Sequence, residues 1–319
     1  MPHYILTCIG PKQSPHGQVG AKNLSPLQIH IEQIKTLLSE QKIVIQKARV
    51  LASKAMDCVE ITLEANDPID PYGLMKHLAS QKETAGIDCL IQTAEAYATP
   101  KRLIAFDQDS TLIQAEVIDE LAKEAGVGEQ VARVTAQAMN GEVPFPLALK
   151  ARVQCLKGLS TDVMDRVFDR ILLSPGASEL ISILKARGCI TALLTGGFDY
   201  FSLRYKKMLN LDYAYSNHLE VKNNRLTGNI IGEIVDGQRK ADLLAEIAKK
   251  HEIALNQTVA VGDGANDLPM MMRSGLGIAF NAKPSVREVA PYPMTQKSLT
   301  SILYLLGMTE DEIEEKGAA

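Results

Sequence analysis

Hydrophobic and polar residues follow one pattern in the first 98 residues and another in the rest of the chain. In the first part, short apolar or alternating segments typical of strands are interleaved with two segments in which apolar residues recur at helical spacing. The strand-like segments cover residues 4–9, 43–52, 58–65 and 89–94, and the helical ones cover residues 27–40 and 67–81. This βαββαβ order predicts an α+β, ferredoxin-like domain in which two helices cover one face of a small antiparallel sheet.

After residue 98, apolar strands alternate with amphipathic helices, which predicts an α/β domain with a doubly wound parallel sheet. The predicted strands cover residues 103–106, 190–194, 213–215, 258–261 and 276–280, and residues 219–231 have the pattern of a hairpin. Between the first two strands, residues 116–173 contain only helical patterns and have the size of a cap over the sheet edge. The acidic tail, residues 310–319, is expected to be a frayed helix end. We therefore predict one domain at residues 1–98 and a second at residues 99–319.

The composition and charge of the chain favour a small-molecule substrate over a large charged partner. Of the 319 residues, 46% are apolar and 23% are charged, and the net charge is only −4. So weak an overall charge creates no field that would attract nucleic acid or an anionic membrane surface. We expect neither of these as a partner.

The cysteines and the N-terminus indicate a cytoplasmic protein. The five cysteines are scattered, with no Cys-x-x-Cys pair and no histidines at metal-ligand spacing near them, so we expect buried thiols in a reducing compartment. The apolar stretch at the N-terminus breaks at Gly10 and Pro11 and has no basic region before it. This pattern fits neither a signal peptide nor a membrane span.

Two carboxylates follow the first strand of the larger domain. Asp107 and Asp109 lie two residues apart, directly after the strand that ends at Phe106. At the carboxyl end of a parallel strand, both side chains project into the crevice where α/β folds bind ligands. One carboxylate can attack a substrate there while the other exchanges a proton. The same pair is common in ordinary solvated turns, so it does not identify a site by itself.

A glycine-rich acidic segment follows the predicted strand at residues 258–261. Gly262, Asp263, Gly264, Asn266 and Asp267 place two carboxylates and an amide around tight turns, and such oxygen ligands are those that Mg²⁺ prefers. The alternative is a turn with ordinary helix-capping side chains. A dinucleotide-binding loop is excluded because the third glycine is missing, and a Walker loop because no Gly-Lys-Ser/Thr is present.

Two shorter features lie between these segments along the chain. Thr195, Gly196 and Gly197 end a predicted strand, where a hydroxyl and backbone N–H groups can hold phosphate oxygens. Lys240 begins a predicted helix and can neutralise the same phosphate. Alone, the first feature is more typical of an ordinary turn and the second of a solvated lysine, so neither identifies a phosphate site. They become informative through their order along the chain together with the two acidic segments.

In this order, the four features resemble the motifs of the haloacid dehalogenase superfamily, at residues 107–111, 195–197, 240 and 262–267. Longer strings at residues 107–116, 149–158 and 262–270 are similar to the phosphoserine phosphatase family. The resemblance covers residues 102–307. It implies a HAD-like fold with an inserted helical cap, and a magnesium-dependent phosphatase that forms an aspartyl-phosphate.

The resemblance also implies a role for each catalytic and metal-binding residue. Asp107 would be the nucleophile and Asp109 the general acid and base. Mg²⁺ would be bound by the Asp107 carboxylate, the Asp109 backbone carbonyl and the Asp263 carboxylate. Asp267 would order the water molecules around the metal.

The same resemblance implies that the substrate is O-phosphoserine. Glu116 would hold its ammonium group and Arg152 its carboxylate, with Met139 and Phe145 as walls of the pocket. The remaining implied substrate-binding residues are Thr195, Gly196, Lys240 and Asn266. The family usually has serine where this chain has Thr195; either hydroxyl suits phosphate, while the extra methyl group changes the fit of the serine moiety.

The βαββαβ order of residues 1–98 resembles the ACT family of amino-acid-binding regulatory domains, which implies regulation by an amino acid. A purely structural or dimerising role, with a homodimer as the assembly, is the alternative. Two alternatives also remain for the whole chain. One is an enzyme of the same chemistry acting on another small phosphomonoester, and the other is a non-catalytic amino-acid sensor.

Overall fold

The structure, a computed structural model, describes residues 1–12, 26–54, 56–139 and 142–317. Within these residues, the strands form one sheet of four strands and one of seven. No helix in this described part is long and apolar enough to cross a membrane. All five cysteines are free thiols.

The four-stranded sheet is antiparallel and comes from the first part of the chain. Its strands are β1 His3–Pro11, β2 Ile43–Ala52, β3 Met56–Ala65 and β4 Asp88–Thr93, in the order β2-β3-β1-β4. Its helices are α1 Pro26–Glu40 and α2 Pro71–Ala79, and a short helix α3 Ala94–Ala98 follows β4. The predicted βαββαβ order is confirmed. Apolar side chains such as Leu6 and Ile61 from the strands and Leu38 and Leu78 from the helices form its core.

The seven-stranded sheet has the order β11-β10-β9-β5-β6-β7-β8. Its strands are β5 Leu103–Phe106, β6 Ile190–Phe198, β7 Tyr213–Lys222, β8 Arg225–Ile231, β9 Thr258–Gly262, β10 Leu276–Phe280 and β11 Tyr292–Met294. All neighbours are parallel except β7 and β8, which form an antiparallel hairpin. The predicted doubly wound parallel sheet is confirmed.

Burial on both faces explains why the central strands are uninterrupted apolar runs. Along β5, Leu103 and Ala105 belong to one core, while Ile104 and Phe106 belong to the other. Successive side chains of a strand point to opposite faces, so both faces of this sheet are covered. The short length of β5 and its lack of polar residues therefore follow from its central position.

The cap is inserted between β5 and β6 and consists, in the described residues, of helices α4 Val117–Glu124, α5 Gly128–Met139, α6 Phe145–Cys155 and α7 Thr161–Arg170. The chain enters and leaves this cap through two paired segments, since Gln114 N donates to Leu172 O and Ser174 N donates to Leu112 O. The helices after the cap are α8 Ala177–Ala186, α9 Asp199–Met208, α10 Gly237–Lys250, α11 Leu268–Arg273, α12 Pro284–Arg287, α13 Ile302–Leu305 and α14 Glu310–Gly317.

The structure corrects the sequence pattern at the hairpin. Residues 213–215 and the first strand of the predicted hairpin are one continuous strand, β7. Asn217 lies within this strand, is fully buried and interrupts its apolar pattern. Because the buried Asn217 interrupts the apolar pattern, the continuity of β7 was not evident from the sequence.

The acidic tail is also different from the expectation of a frayed end, because most of it forms helix α14. Glu310 Oε2 accepts hydrogen bonds from the backbone N–H groups of Ser53 and Lys54, at 3.0 and 2.9 Å. Ile313, on the same helix, is buried in the core. The stabilising partners lie more than 250 residues earlier in the sequence, so local sequence could not reveal them.

Buried polar contacts join the four-stranded sheet to the segment that follows β11. Both carboxylate oxygens of Asp88 accept hydrogen bonds, from Thr295 N and Oγ1 and from Gln296 Nε2, at 2.7–2.8 Å. Gln92 Nε2 donates to Leu305 O at 3.0 Å. Because buried hydrogen bonds of this kind are costly to break, they hold the first sheet against the larger one.

Candidate active site

The three strand-end motifs lie side by side on the larger sheet. Asp107 follows β5, Thr195 lies near the end of β6, and Asp263 follows β9, and these strands are neighbours in the order β9-β5-β6. Parallel strands end at the same edge of a sheet, so residues far apart in sequence meet there. The fourth motif residue, Lys240, lies in the first turn of α10.

Lys240 is fully buried between two carboxylates. Its Nζ lies 2.7 Å from Asp107 Oδ1 and donates a hydrogen bond of 2.7 Å to Asp267 Oδ1. Burial alone would lower the pKa of Lys240, but the charges of Asp107 and Asp267 outweigh it and raise the pKa above its usual value. These two carboxylates therefore favour the charged form of Lys240. The contact with Asp107 is an ion pair without an aligned hydrogen bond, so within the described part of the chain no donor is aligned with Asp107 Oδ1.

Three carboxylates converge beside this lysine. One oxygen from each of Asp107, Asp263 and Asp267 lies within 4.8 Å of the others. Burial, followed by the charges of Asp107 and Asp267, raises the pKa of Asp263 to about 7. One lysine cannot compensate three carboxylates, and a hard divalent cation is the species that oxygen-rich clusters of this charge bind. The residues present thus fit a divalent metal ion.

The hydrogen bonds of these carboxylates separate metal ligands from supporting residues. Asp267 uses both oxygens within the protein, accepting from Lys240 Nζ and, at 3.0 Å, from Gly264 N. Among the described residues, Asp263 Oδ1 accepts one hydrogen bond, from the hydroxyl of Thr111 at 3.1 Å. Asp107 and Asp263 therefore have oxygen atoms left for a metal, while Asp267 is held by the protein.

Asp109 lies beside the nucleophile candidate but in a different environment. Its Oδ1 accepts a 2.9 Å hydrogen bond from Gln108 Nε2. Loss of hydration, followed by the charges of Glu116 and Asp107, raises the pKa of Asp109 well above its usual range. The raised pKa favours the protonated form of Asp109, which is the form that a general acid needs. The left-handed backbone of Ser110 (φ 56°) turns the chain away after Asp109.

The loop that ends β6 is held by a residue outside the predicted motifs. Thr195 Oγ1 is buried and accepts a hydrogen bond from Gly197 N at 2.9 Å. Asn217 Nδ2 donates to Gly196 O, and Asn217 Oδ1 accepts from Val235 N, both at 2.9 Å. Val235 immediately precedes the N-cap of α10, so Asn217 links the Thr195 loop to the helix that carries Lys240.

Close packing explains the glycines of this site. A Cβ atom at Gly262 would lie 2.4 Å from Asp267 Cγ, and one at Gly264 would lie 2.2 Å from Asn266 Oδ1. These distances are far below a van der Waals contact. The Asn266 side chain thus folds over Gly264, and any larger residue at either glycine would displace an acidic or amide side chain of the site.

Two of the predicted substrate-binding residues, Phe145 and Arg152, lie on cap helix α6. Phe145, the first residue of α6, lies against the β6 loop, since a Cβ atom at Gly196 would be only 3.1 Å from its Cζ. Arg152, on the same helix, is partly buried, and this loss of hydration lowers the pKa of its guanidinium. Within the described residues, Arg152 forms no ion pair. The carboxylates of Asp119, Glu116 and Asp109 act on its charge from beyond ion-pair distance.

Glu116 lies at the N-terminus of the first cap helix and has the opposite charge. Its Oε1 accepts a 2.7 Å hydrogen bond from Ser110 Oγ. The side chain is exposed at the surface, yet nearby protein atoms reduce its hydration and raise the pKa of the carboxyl. The side chain of Met139, at the end of α5, lies outside the described residues.

Comparison with known proteins decides the family. The sequence profile of the haloacid dehalogenase-like hydrolases matches residues 104–272. A protein of Archaeoglobus fulgidus named phosphoserine phosphatase is 48% identical over 237 residues, which are 74% of this chain and 69% of that protein. One of Saccharomyces cerevisiae with the same name is 37% identical over 319 residues, covering 98% of this chain and 99% of that protein.

The chain belongs to the phosphoserine phosphatases of the haloacid dehalogenase-like hydrolase family. Solved structures agree with this placement. A crystal structure of a HAD family hydrolase from Salmonella enterica serovar Typhi covers 95% of this chain and 98% of its own, with a TM-score of 0.78 and 32% identity. A substrate-bound phosphoserine phosphatase complex covers 64% of this chain and 97% of its own, with a TM-score of 0.61 and 45% identity.

Most residues predicted for a phosphatase site of this family meet at the carboxyl edge of the larger sheet and under the cap. They are Asp107, Asp109, Glu116, Phe145, Arg152, Thr195, Gly196, Lys240, Asp263, Asn266 and Asp267. Sequence reasoning missed the residues that hold them in place, which are Gln108, Thr111 and Asn217. Gln108 and Thr111 lie within the first motif, whereas no sequence signal marked Asn217.

Proposed function

We propose that this chain hydrolyses O-phospho-L-serine to L-serine and phosphate through an aspartyl-phosphate on Asp107. The proposal is carried by two features of the site. The first is the buried ion pair between Asp107 and Lys240. The second is a pair of opposite charges on the cap side, the carboxylate of Glu116 and the guanidinium of Arg152. A phosphorylated amino acid has three charged groups, and each of them meets its opposite in this arrangement. The names of the relatives given above support the same substrate.

The chain's own residues account for both chemical steps. Asp107 attacks phosphorus, so that a bond from its carboxylate oxygen to phosphorus forms while the bond from phosphorus to the serine oxygen breaks. Asp109 gives its proton to the departing serine oxygen. The Asp109 carboxylate then takes a proton from a water molecule, which attacks phosphorus and releases phosphate from Asp107.

We infer that Mg²⁺ is the metal, held by the Asp107 carboxylate, the Asp109 backbone carbonyl and the Asp263 carboxylate. Asp267, fixed by Lys240 and Gly264, would orient the water ligands. When bound, Mg²⁺ supplies positive charge that stabilises the phosphoryl oxygens. Thr195, the Gly196 N–H, Asn266 and Lys240 would bind the same oxygens from the protein side.

Arg152→Ala and Glu116→Ala are expected to damage specificity rather than chemistry. Each should lower kcat/KM for phosphoserine by roughly ten- to a hundredfold, the value of a lost charged hydrogen bond. Hydrolysis of p-nitrophenyl phosphate should change by less than about threefold, since this substrate offers neither an ammonium group nor a carboxylate. Steady-state kinetics with both substrates measures the difference.

The matched control for Arg152 is Arg166→Ala, which removes an exposed arginine from cap helix α7. It should leave both substrates unaffected. If Arg152→Ala lowered both activities to the same extent, its role would be to support the cap and not to recognise substrate.

A substrate panel with the wild-type enzyme tests the proposed function itself. With magnesium present, L-phosphoserine should have the highest kcat/KM in a series with D-phosphoserine, phosphothreonine and sugar phosphates. Preference for another compound would identify a phosphatase or phosphotransferase of the same chemistry. An absence of turnover on every phosphomonoester would support the non-catalytic sensor instead.

For residues 1–98 we propose a regulatory or dimerising domain, and for the assembly a homodimer. The polar contacts of Asp88 and Gln92 with residues 295–305 support coupling between this domain and the enzyme body. The free cysteines support a cytoplasmic location.

We expect L-serine to inhibit the full chain with a non-competitive component, which measures binding at a second site. Purely competitive inhibition, with one serine bound per chain, would leave the domain a structural role.

A further inference from the structure

Gln108 is a fully buried amide between the nucleophile and the general acid. Its Nε2 donates to Asp109 Oδ1 at 2.9 Å, while its Oε1 is buried without a hydrogen-bond partner among the described residues. An unsatisfied buried carbonyl costs about 1–3 kcal/mol. A methionine would fill a similar volume without this cost, so the contribution of the amide must be sought in its single hydrogen bond.

The hydrogen bond makes the two oxygen atoms of Asp109 unequal. Nε2 of an amide can only donate, so Oδ1 of Asp109 is kept as an acceptor. Oδ2 lies close above Gly197, where a Cβ atom would be only 3.3 Å from it and 3.2 Å from Gln108 Nε2. The same Cβ position lies 3.1 Å from Thr195 Oγ1, one of the proposed phosphate ligands. Asp109 Oδ2 and Thr195 Oγ1 therefore approach the same point above Gly197, which places Oδ2 on the side of Asp109 that faces a proposed phosphate ligand.

We propose that Gln108 is a positioning residue that holds the Asp109 carboxyl so that Oδ2, and not Oδ1, transfers the proton to the leaving oxygen. The proposal rests on the proposed phosphatase mechanism and deepens it. In the first step the bond between Asp107 and phosphorus forms, the bond from phosphorus to the leaving oxygen breaks, and the proton on Asp109 Oδ2 moves to that oxygen. Gln108 takes no part in bond making, and acts only through the orientation of Asp109.

This role makes a prediction about leaving groups. An alkoxide such as that of serine is a poor leaving group and needs the proton of Asp109, whereas p-nitrophenolate is stable as an anion and leaves without it. The parameter kcat/KM covers events up to the transfer of phosphorus to Asp107, so the later hydrolysis step does not obscure the comparison. A residue that only supported the fold would affect both kinds of substrate equally.

The test is Gln108→Met, with kcat/KM measured for phosphoserine, glycerol 2-phosphate and a series of aryl phosphates. We expect a loss of about tenfold or more for the two alkyl phosphates and less than about threefold for p-nitrophenyl phosphate, because positioned general acids contribute roughly 10²–10⁴-fold. The dependence of kcat/KM on leaving-group basicity should become steeper. Gln108→Glu, which keeps the shape but replaces the donor by an acceptor, should show the same split.

Gln92→Leu is the matched control, since it also removes a buried glutamine and one hydrogen bond, at a distance from Asp109 in the four-stranded sheet. It should leave the ratio of alkyl to aryl activity unchanged. Equal losses on alkyl and aryl phosphates in Gln108→Met and Gln108→Glu, or no loss on either, would overturn the proposal. If the wild-type enzyme preferred another alkyl phosphate to phosphoserine, the proposed substrate would be wrong, while the alkyl-to-aryl comparison would still test Gln108.

Discussion

Asp107→Asn should abolish turnover, with kcat reduced by roughly 10⁴-fold or more, as is found when a covalent nucleophile is removed from an enzyme. An amide nitrogen or oxygen cannot replace the carboxylate in the attack on phosphorus, and the metal site also loses a charged ligand. The measurement is phosphate release from phosphoserine in the presence of magnesium. Mass spectrometry of the quenched enzyme should find a phosphorylated protein for the wild type and none for the variant.

The same variant should keep its fold, because Lys240 retains its hydrogen bond with Asp267 when Asp107 loses its charge. Thermal unfolding should therefore occur close to the wild-type temperature. Asp169→Asn, an exposed change on cap helix α7, is the control for an aspartate-to-asparagine substitution away from the site and should leave kcat unchanged. Activity of Asp107→Asn within about tenfold of the wild type would rule out Asp107 as the nucleophile.

Lys240→Met should have the largest expected effect on stability. The side chain is fully buried, and its removal leaves Asp107 and Asp267 without their common cation. Loss of one partner from a buried ion pair typically costs about 3–5 kcal/mol. The free energy of unfolding, measured by denaturant titration in the presence of a chelator, should fall by about this amount. Activity should also be lost, because Lys240 is a proposed ligand of the phosphate.

Lys249→Met is the control, since Lys249 is exposed near the end of the same helix, α10. Its free energy of unfolding should stay within about 0.5 kcal/mol of the wild type, as is usual for surface substitutions. If Lys240→Met changed the unfolding free energy as little as Lys249→Met does, the buried ion pair would not contribute to stability in the way that its geometry indicates.

The sequence was sufficient for the order of the strands along the chain and for most of the residues that converge at the site. The central strand β5 is a short apolar run because both of its faces are buried, and a polar residue there marks the point where the strand ends. Asp107 and Asp263 could be assigned to one site for this reason, since parallel strands end at a common edge. Their chemistry as carboxylates then pointed to a metal.

The tertiary structure decided which side chains hold these residues in place. Asn217 appeared in the sequence only as a polar interruption of a strand, yet it connects the Thr195 loop to the segment before α10. The acidic tail was expected to fray, yet Glu310 caps the backbone of Ser53 and Lys54. Each of these side chains acts through a hydrogen bond to a residue distant in sequence, and neither hydrophobic periodicity nor local motif spacing carries information about such a partner.

The role of Gln108 depends partly on the sequence and partly on the tertiary structure. Its position inside the first motif was evident from the sequence, but the direction of its amide toward Asp109 and its complete burial depend on the packing of β5, β6 and the Gly197 turn around it. Local sequence thus determined the chemical groups available and the sheet edge at which they meet. The packing of the folded chain determined which oxygen atom of each carboxylate is held by the protein and which is left for a ligand, because hydrogen bonds depend on distance and direction in space.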